Sequence, residues 1–91
     1  GLFVPGLVQT ADTEQIAAAT RLPLNLMLLP GLPDTEKLGR AGMRRLSAGP
    51  AVFLSAYAQL EADTTAFMAG EGARIFSRAL PFASVNALFA P

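Results

Sequence analysis

Three short apolar segments, each closed by a proline and a glycine, constrain the fold of this chain more than any other feature. They are residues 2–4, 24–29 and 45–48. Continuous apolar runs are typical of strands that are covered on both faces. The segments lie about 20 residues apart, which leaves room for one helix in each connection. The sequence therefore predicts an α/β fold with three parallel strands in a βαβαβ series.

Two helices are predicted between these segments. Asp12 is the predicted N-cap of the first helix, with Gln15 three residues later, and Asp34 is the predicted N-cap of the second. The second helix is expected to end at Gly42 in a left-handed conformation. Three residues are assigned to its buried side: Leu38, Ala41 and Met43.

A longer helix is predicted over residues 51–69, ended by Gly70. Seven residues recur along it at spacings of three and four: Phe53, Ala56, Tyr57, Leu60, Thr64, Phe67 and Met68. Such a stripe is most often the core face of a helix, and this is our interpretation here.

The residues after Gly70 predict a shorter helix over 73–80, stopped by Pro81, and a last turn over 85–89 capped by Ser84. This tail carries four large apolar side chains: Phe82, Val85, Leu88 and Phe89. They are expected to dock within the chain or on a neighbouring molecule.

The composition excludes several functional classes. Without histidine or cysteine there is no histidine-dependent triad, no ordinary structural zinc site and no disulfide. Seven basic and seven acidic residues cancel, and no lysine or arginine run suggests a nucleic-acid surface. The longest stretch without charge, residues 46–60, contains Gly49 and Pro50 and is shorter than the roughly 18–20 residues of a membrane span.

The charged fraction is unusually low. Only 15% of the residues are charged, against about 25% in a typical soluble domain. The chain also opens without methionine, directly on a strand-like segment. We expect a piece of a larger domain, or a subunit that buries much of its surface against another. A small, unusually apolar domain is the alternative.

Three segments carry a family resemblance: residues 1–7 (GLFVPGL), 22–27 (LPLNLM) and 44–50 (RRLSAGP). In this order they resemble the carboxyl-terminal third of the isocitrate lyase/phosphoenolpyruvate mutase superfamily, in its phosphoenolpyruvate mutase-like branch. The resemblance implies a fragment of a (β/α)8 TIM barrel, namely its last three βα units. All of residues 1–91 would belong to one barrel domain. Residues 1–50 would hold three parallel strands and two crossover helices, and 51–91 an extended, subunit-swapped helix and a helical tail.

The resemblance also implies an activity. Members of this superfamily are Mg²⁺-dependent carbon–carbon lyases, decarboxylases or phosphonate-type mutases that act on small α-keto or hydroxy acids through an enolate. We therefore expect a cytoplasmic enzyme with a small carboxylic-acid substrate, forming a homodimer or homotetramer through its last helix. Neither nucleic acid nor membrane is an expected partner.

The superfamily's metal carboxylates and mobile catalytic loop lie in the first two-thirds of the barrel. Every acidic residue of the present chain falls on a predicted helix or cap. We therefore assign no catalytic or metal-binding residue here, and expect the 91-residue chain to be inactive alone.

Three residues are candidates for binding substrate. The resemblance places a substrate-carboxylate-binding asparagine at Asn25; the alternative is an amide that bonds only to neighbouring backbone. Ser47 and Gly49 lie where the last strand meets a helix, and free N–H groups there can hold an anion. A plain strand-to-helix turn is the alternative for these two. Asp34 fits a cap better than an acid catalyst.

The chain also departs from the lyase branches. Gly6 stands where a substrate-binding glutamate is found, and Leu54 where an arginine is found. Leu26 and Met27 replace polar residues after the asparagine. These departures suggest a more apolar site.

A non-catalytic segment that assembles oligomers is the competing function. A Rossmann-like fragment is disfavoured because no Gly-x-Gly-x-x-Gly follows a strand.

Overall fold

The structure is a computed structural model that describes residues 1–91. Its elements are β1 (Leu2–Val4), α1 (Thr10–Ala19), β2 (Leu24–Met27), α2 (Thr35–Arg40), β3 (Met43–Ser47), α3 (Ala51–Met68), a 3₁₀ helix (Gly72–Ser77) and α4 (Phe82–Ala87). Two compact units divide at residue 53: Gly1–Phe53 and Leu54–Pro91. No helix in the chain is both long enough and apolar enough to cross a lipid bilayer.

The first unit is a three-stranded sheet in the order β1-β2-β3, and both strand pairs are parallel. This confirms the predicted parallel series. The boundaries differ slightly, because β2 ends at Met27 rather than at residue 29, and β3 begins at Met43 rather than at residue 45.

The two faces of this sheet have opposite environments. Leu24 and Leu26 are 1% and 0% exposed, and they pack with Leu7, Leu38 and Met43 into the hydrophobic core. Alternate residues of a strand point to the opposite face. On that opposite face none of the five residues is buried; we call it the open face: Phe3, Asn25, Met27, Arg45 and Ser47.

A one-residue register shift separates β2 from β3. Leu24 lies opposite Met43, but Asn25 lies opposite Arg45, so that Arg44 has no partner in β2. An extra residue of this kind changes which side chains face each way, as in a β-bulge. Met43 and Leu46 can therefore both pack with the core although they are three residues apart.

The sequence is right about one helix cap and wrong about another. Asp34 caps α2 by accepting a hydrogen bond from Lys37 N at 2.8 Å. Asp12 is not a cap, because α1 begins at Thr10 with Gln9 at its N-cap position. The N–H and the hydroxyl of the buried Thr13 both donate to Gln9 O, and this fixes the earlier start. Asp12 lies instead in the first turn, where its negative charge interacts favourably with the positive end of the helix dipole.

The end of α2 also corrects one assignment. Leu38 and Ala41 are buried as predicted, and Gly42 has the expected positive φ of 108°. Met43 is buried, but in β3 rather than on the helix. The helix stops at Arg40 and Gly42 reverses the backbone, which leaves Met43 free to start the strand.

In the second unit, α3 ends at Met68 and Gly70 follows with φ of 80°, close to the prediction. No residue of α3 is buried. Leu60 is 61% exposed and Phe67 66% exposed, so the apolar stripe is not a core face within this chain. The interpretation of the stripe as packed core is therefore wrong for these 91 residues.

The tail differs from its prediction in detail. The segment after Gly70 is a 3₁₀ helix ending at Ser77 rather than a helix over 73–80. Ser84 is not a cap, because α4 begins at Phe82 and the N–H groups of Ser84 and Val85 both donate to Pro81 O. The tail's large side chains stay exposed, Phe82 at 80% and Phe89 at 82%.

Polar contacts connect the 3₁₀ region to α3. Arg78 lies 3.3 Å from Asp63, whose carboxylate also accepts from Gln59 at 2.8 Å. Arg74 pairs with Glu71. These ion pairs line a surface groove of about 240 Å³. Its charges compensate one another, so the groove is an ordinary helix-to-tail contact.

Candidate functional site

Asn25 and Ser47 meet at one backbone carbonyl. The Ser47 hydroxyl donates to Leu26 O at 3.2 Å. The Asn25 amide nitrogen donates to the same oxygen at 3.2 Å, and to Arg45 O at 3.2 Å. Only this orientation of the amide pairs its donors with acceptors, and the nitrogen is assigned on that ground. The structure thus brings together two of the three predicted substrate-binding residues, across the β2–β3 pair.

These contacts match the alternative given for Asn25 in the sequence analysis, an amide that bonds to neighbouring backbone. Both of its amide N–H groups have carbonyl partners on β2 and β3, so the amide braces the two strands. Contact between Asn25 and a substrate stays a prediction. An amide carries an acceptor as well as two donors, and a hydroxyl both donates and accepts. Asn25 and Ser47 together can therefore bind a polar ligand on the open face without a change of backbone.

Gly49 lies under the side chain of Met27. Its φ is 54°, and a Cβ placed on it would stand only 2.7 Å from Met27 Sδ and 2.8 Å from Met27 Cγ. The absence of a side chain at Gly49 therefore lets the thioether of Met27 lie on the loop after β3. Met27 thus contacts Gly49, the third predicted site residue. This contact could not be predicted from the sequence because it depends on the pairing of β2 with β3.

The loop between β3 and α3 is a tight turn. Ala51 N donates to Ala48 O at 3.1 Å, and Leu28 N donates to Ser47 O at 2.8 Å. The turn fixes Ser47 against the end of β2. The first turn of α3 contains no acidic residue, so nothing offsets the partial positive charge of that helix end.

Arg45 is a residue of the open face that the sequence reasoning did not single out. It lies opposite Asn25 in the register and is exposed. The available signal was an arginine pair inside an otherwise apolar strand. Which of the two arginines would share a face with Asn25 depends on the register shift, and the sequence alone does not contain it.

No acidic residue belongs to the open face. The chain has no group of three or more acidic side chains placed to hold a metal ion. Asp34 has a pKa below its ordinary value of 3.8, chiefly because its carboxylate accepts the hydrogen bond from Lys37 N, with the Lys37 charge adding to the effect. That shift belongs to a helix cap and has no connection with Asn25 or Ser47.

A second groove, of about 490 Å³, lies at the other ends of the strands. It is lined by Thr20, Arg21 and Pro23 before β2, and by Gly42 and Arg44 at the start of β3. Parallel sheets carry their functional groups at the carboxyl ends of the strands. The candidate functional site is therefore the open face near Asn25 and Ser47. It offers an amide, a hydroxyl and a guanidinium but no general base. It can bind an anion, and it holds no group for proton abstraction.

Comparisons with known proteins agree with this geometry. The family model for phosphoenolpyruvate phosphomutase matches residues 1–68, which include all three strands and all of α3. No curated protein matches the chain.

Two solved structures from Burkholderia cenocepacia J2315 are similar to it. One, described as a "putative phosphonomutase", is 38% identical over 71% of this chain, with a TM-score of 0.67. The other, described as a "putative lyase/mutase", is 24% identical over 99% of this chain, with a TM-score of 0.85, and supports the fold alone.

The chain spans 26% and 33% of the lengths of these two proteins. Its parallel strands, with their leucines buried in a core on one face, are consistent with a fragment of a TIM-barrel-like enzyme. Since the family model covers most of the residues, the chain belongs to the phosphoenolpyruvate mutase family, within the isocitrate lyase/phosphoenolpyruvate mutase superfamily.

Proposed function

We propose that this chain forms the last three βα units of a (β/α)8 barrel enzyme that acts on small α-keto or hydroxy acids. One observation carries the proposal: the sheet is parallel, its leucines are buried under helices, and its other face presents Asn25, Arg45 and Ser47 unburied. In a closed barrel that second face lines the interior, and substrates bind at the carboxyl ends of the strands.

The reaction we propose is cleavage of a carbon–carbon bond, by a lyase or a decarboxylase, through the enolate of a pyruvate-like unit. A phosphonate-type mutase is the alternative within the same family, and the description of one relative supports it. The open face favours either reaction because it carries a guanidinium, that of Arg45, and no carboxylate that would repel an anion.

Mg²⁺ dependence is part of the proposal, but this chain does not fit as the source of the metal site. Its carboxylates lie on helices or caps, and no three of them converge. The ligands would belong to the remaining strands of the barrel. We therefore expect no turnover by the 91-residue chain alone.

Each open-face residue would have a distinct role. Asn25 and Ser47 would bind a polar group of the substrate when their donors leave the shared Leu26 carbonyl, which holds both side chains in place in the free protein. The thioether of Met27 against Gly49 would limit the space beside them. A flexible apolar side chain in this position favours a small substrate.

The test is turnover by the full-length protein that contains this segment. We expect Mg²⁺-dependent turnover of at least one acid in a panel of oxaloacetate, 2-methylisocitrate and phosphoenolpyruvate. Asn25→Ala should lower kcat/KM by about 10–100-fold while changing Tm by a few degrees at most. Asn86→Ala, which removes an exposed amide from α4, is the matched control and should change neither.

Two results would contradict this proposal. Absence of turnover with every acid of the panel, in a folded protein supplied with Mg²⁺, would remove the enzyme function. If Asn25→Ala lowers Tm by many degrees as well as lowering kcat/KM, the role of Asn25 is to brace the two strands.

A second function is favoured by a different observation, the exposure of large apolar side chains on α3 and in the tail. Leu60, Phe67, Phe82 and Phe89 are each more than half exposed. Exposed apolar surface on this scale marks an interaction site. We propose that α3 is exchanged between subunits of a homodimer or homotetramer. A folded monomer in size-exclusion chromatography, at micromolar concentration, would contradict it.

A further inference from the structure

We propose that Arg45 binds the carboxylate of the substrate, beside Asn25 and Ser47. The inference rests on the proposed function and adds one residue to the site. The observation that supports it is the position of Arg45. This residue faces the same way as Asn25 only because β2 and β3 are shifted by one residue.

The register shift decides which arginine belongs to the site. In an unshifted ladder, Arg44 would lie opposite Asn25 and Arg45 opposite the buried Leu26. The shift instead pairs Asn25 with Arg45 and Leu26 with Leu46. Leu46 can then pack with the core while Arg45 and Ser47 share the open face. Irregularities of this kind are frequent beside active sites, where they redirect one side chain.

Charge compensation supports an anion as the partner of Arg45. Four other basic residues form ion pairs within the chain: Lys37, Arg40, Arg74 and Arg78. Arg45 forms none, like Arg21 and Arg44, but it alone of these three lies on the open face, which carries no carboxylate. A guanidinium enclosed in a barrel interior needs a negative partner, because burial of an unpaired charge is costly.

The substrate end of the strand lies within the reach of this side chain. Arg45 stands two residues before Ser47, which corresponds to roughly 6.6 Å along a strand, about the length of an extended arginine side chain. At that level the ligand would also meet the Ser47 hydroxyl and the start of α3, whose first turn has no acidic residue. Guanidinium groups bind carboxylates through paired hydrogen bonds, so the geometry suits an α-keto carboxylate.

The test compares two ligands and two arginines in the full-length protein. Pyruvate carries the carboxylate and pyruvamide replaces it with an uncharged amide. We expect Arg45→Met to raise the Kd of pyruvate at least tenfold and to leave the Kd of pyruvamide within about twofold. Arg44→Met removes the neighbouring exposed arginine and should leave the Kd of both ligands within about twofold. Calorimetric titration measures all of these constants.

A second variant keeps the test informative if Arg45→Met does not fold. Arg45→Lys retains the charge and loses the paired donors, so pyruvate should bind several-fold more weakly and pyruvamide unchanged.

Three outcomes overturn the inference. If the wild-type protein turns over its substrate and Arg45→Met binds pyruvate normally, Arg45 has no substrate contact and the proposed function stands. If Arg45→Met weakens both ligands equally, with a lowered Tm, Arg45 instead pairs with a carboxylate of another strand. If the folded wild-type protein binds neither ligand and turns over no α-keto acid, the proposed function fails, and the role of Arg45 fails with it.

Discussion

Gly42 is the residue whose replacement should cost the fold most for its size. Its φ of 108° disfavours any side chain, and a Cβ there would lie 2.4 Å from the Ala17 Cβ of α1. We expect Gly42→Ala to lower the free energy of unfolding by about 2–4 kcal/mol, from backbone strain and overpacking together. Urea denaturation of the full-length protein measures the loss.

Gly31→Ala is the matched control for Gly42→Ala. Gly31 also has a positive φ, of 80°, but a Cβ there would meet nothing within 4 Å. We expect the control to lose only about 1 kcal/mol, from strain alone. Equal losses in the two variants would show that α1 does not pack against Gly42 as described.

Asp34 predicts a pH dependence whose sign follows from its cap. The hydrogen bond from Lys37 N lowers the pKa of the folded-state carboxylate. The stabilisation is therefore present above the unfolded-state pKa of about 3.9, and is lost as the pH falls through the lowered folded-state value. Asp34→Asn keeps a capping group but does not titrate, so its Tm should change less than that of wild type between about pH 5 and about pH 2.5.

Asp34→Ala completes this comparison. It removes the cap itself, so we expect its Tm to be lower by a few degrees at neutral pH, where Asp34→Asn stays close to wild type. A Tm of Asp34→Ala equal to that of wild type would contradict the capping role. Thermal scans monitored by circular dichroism give all of these values.

Among the elements, α3 carries the most exposed large apolar side chains. Its apolar side chains are regularly spaced, yet none is buried by the chain itself. If α3 is exchanged between subunits, Leu60→Glu should place a charge in the interface and shift the protein towards monomers, with at least a tenfold rise in the dissociation constant. Sedimentation velocity measures the shift.

Ser55→Glu introduces the same charge on the opposite side of α3, because five residues of helix turn through about 500°. This control should leave the association unchanged. Equal dissociation by the two variants would place the interface on another part of the molecule or show that α3 has been unfolded.

The elements also show how far the sequence could be interpreted. Apolar runs, the Asp34 cap and the glycines at positions 42 and 70 are local signals, and the structure confirms each of them. The start of α1 was missed because the Thr13 hydroxyl and N–H, rather than Asp12, complete its first turn. The fate of the α3 stripe could not be predicted, since periodicity identifies an apolar face but not its partner.

The candidate site was predictable only residue by residue. An amide within an apolar strand drew attention to Asn25, and the loop after β3 to Ser47 and Gly49. The contacts that join them are all non-local: Ser47 reaches a carbonyl 21 residues earlier, and Met27 covers Gly49. These contacts, like the placement of Arg45, depend on how two strands are aligned, which a single sequence does not determine.

At the scale of the molecule, the unit formed by Gly1–Phe53 has a sheet with a hydrophobic core on one face. Helices α1 and α2 accompany a core with fully buried leucines, whereas the other face has no buried residue. The two structural neighbours are about three times as long as this chain, which fits a segment that completes a larger barrel. The family assignment and the half-covered sheet thus support the same proposal from independent observations.

The Leu26 carbonyl, with two side-chain donors on one oxygen, gives the molecule a built-in spectroscopic reporter. Each donor weakens the C=O bond and moves its infrared absorption to lower frequency. Isotopic labelling of Leu26 alone would isolate that vibration without altering any side chain. A ligand that recruits Asn25 or Ser47 would release the oxygen and return the band towards higher frequency, so occupancy could be recorded in real time even for a substrate whose chemistry is slow.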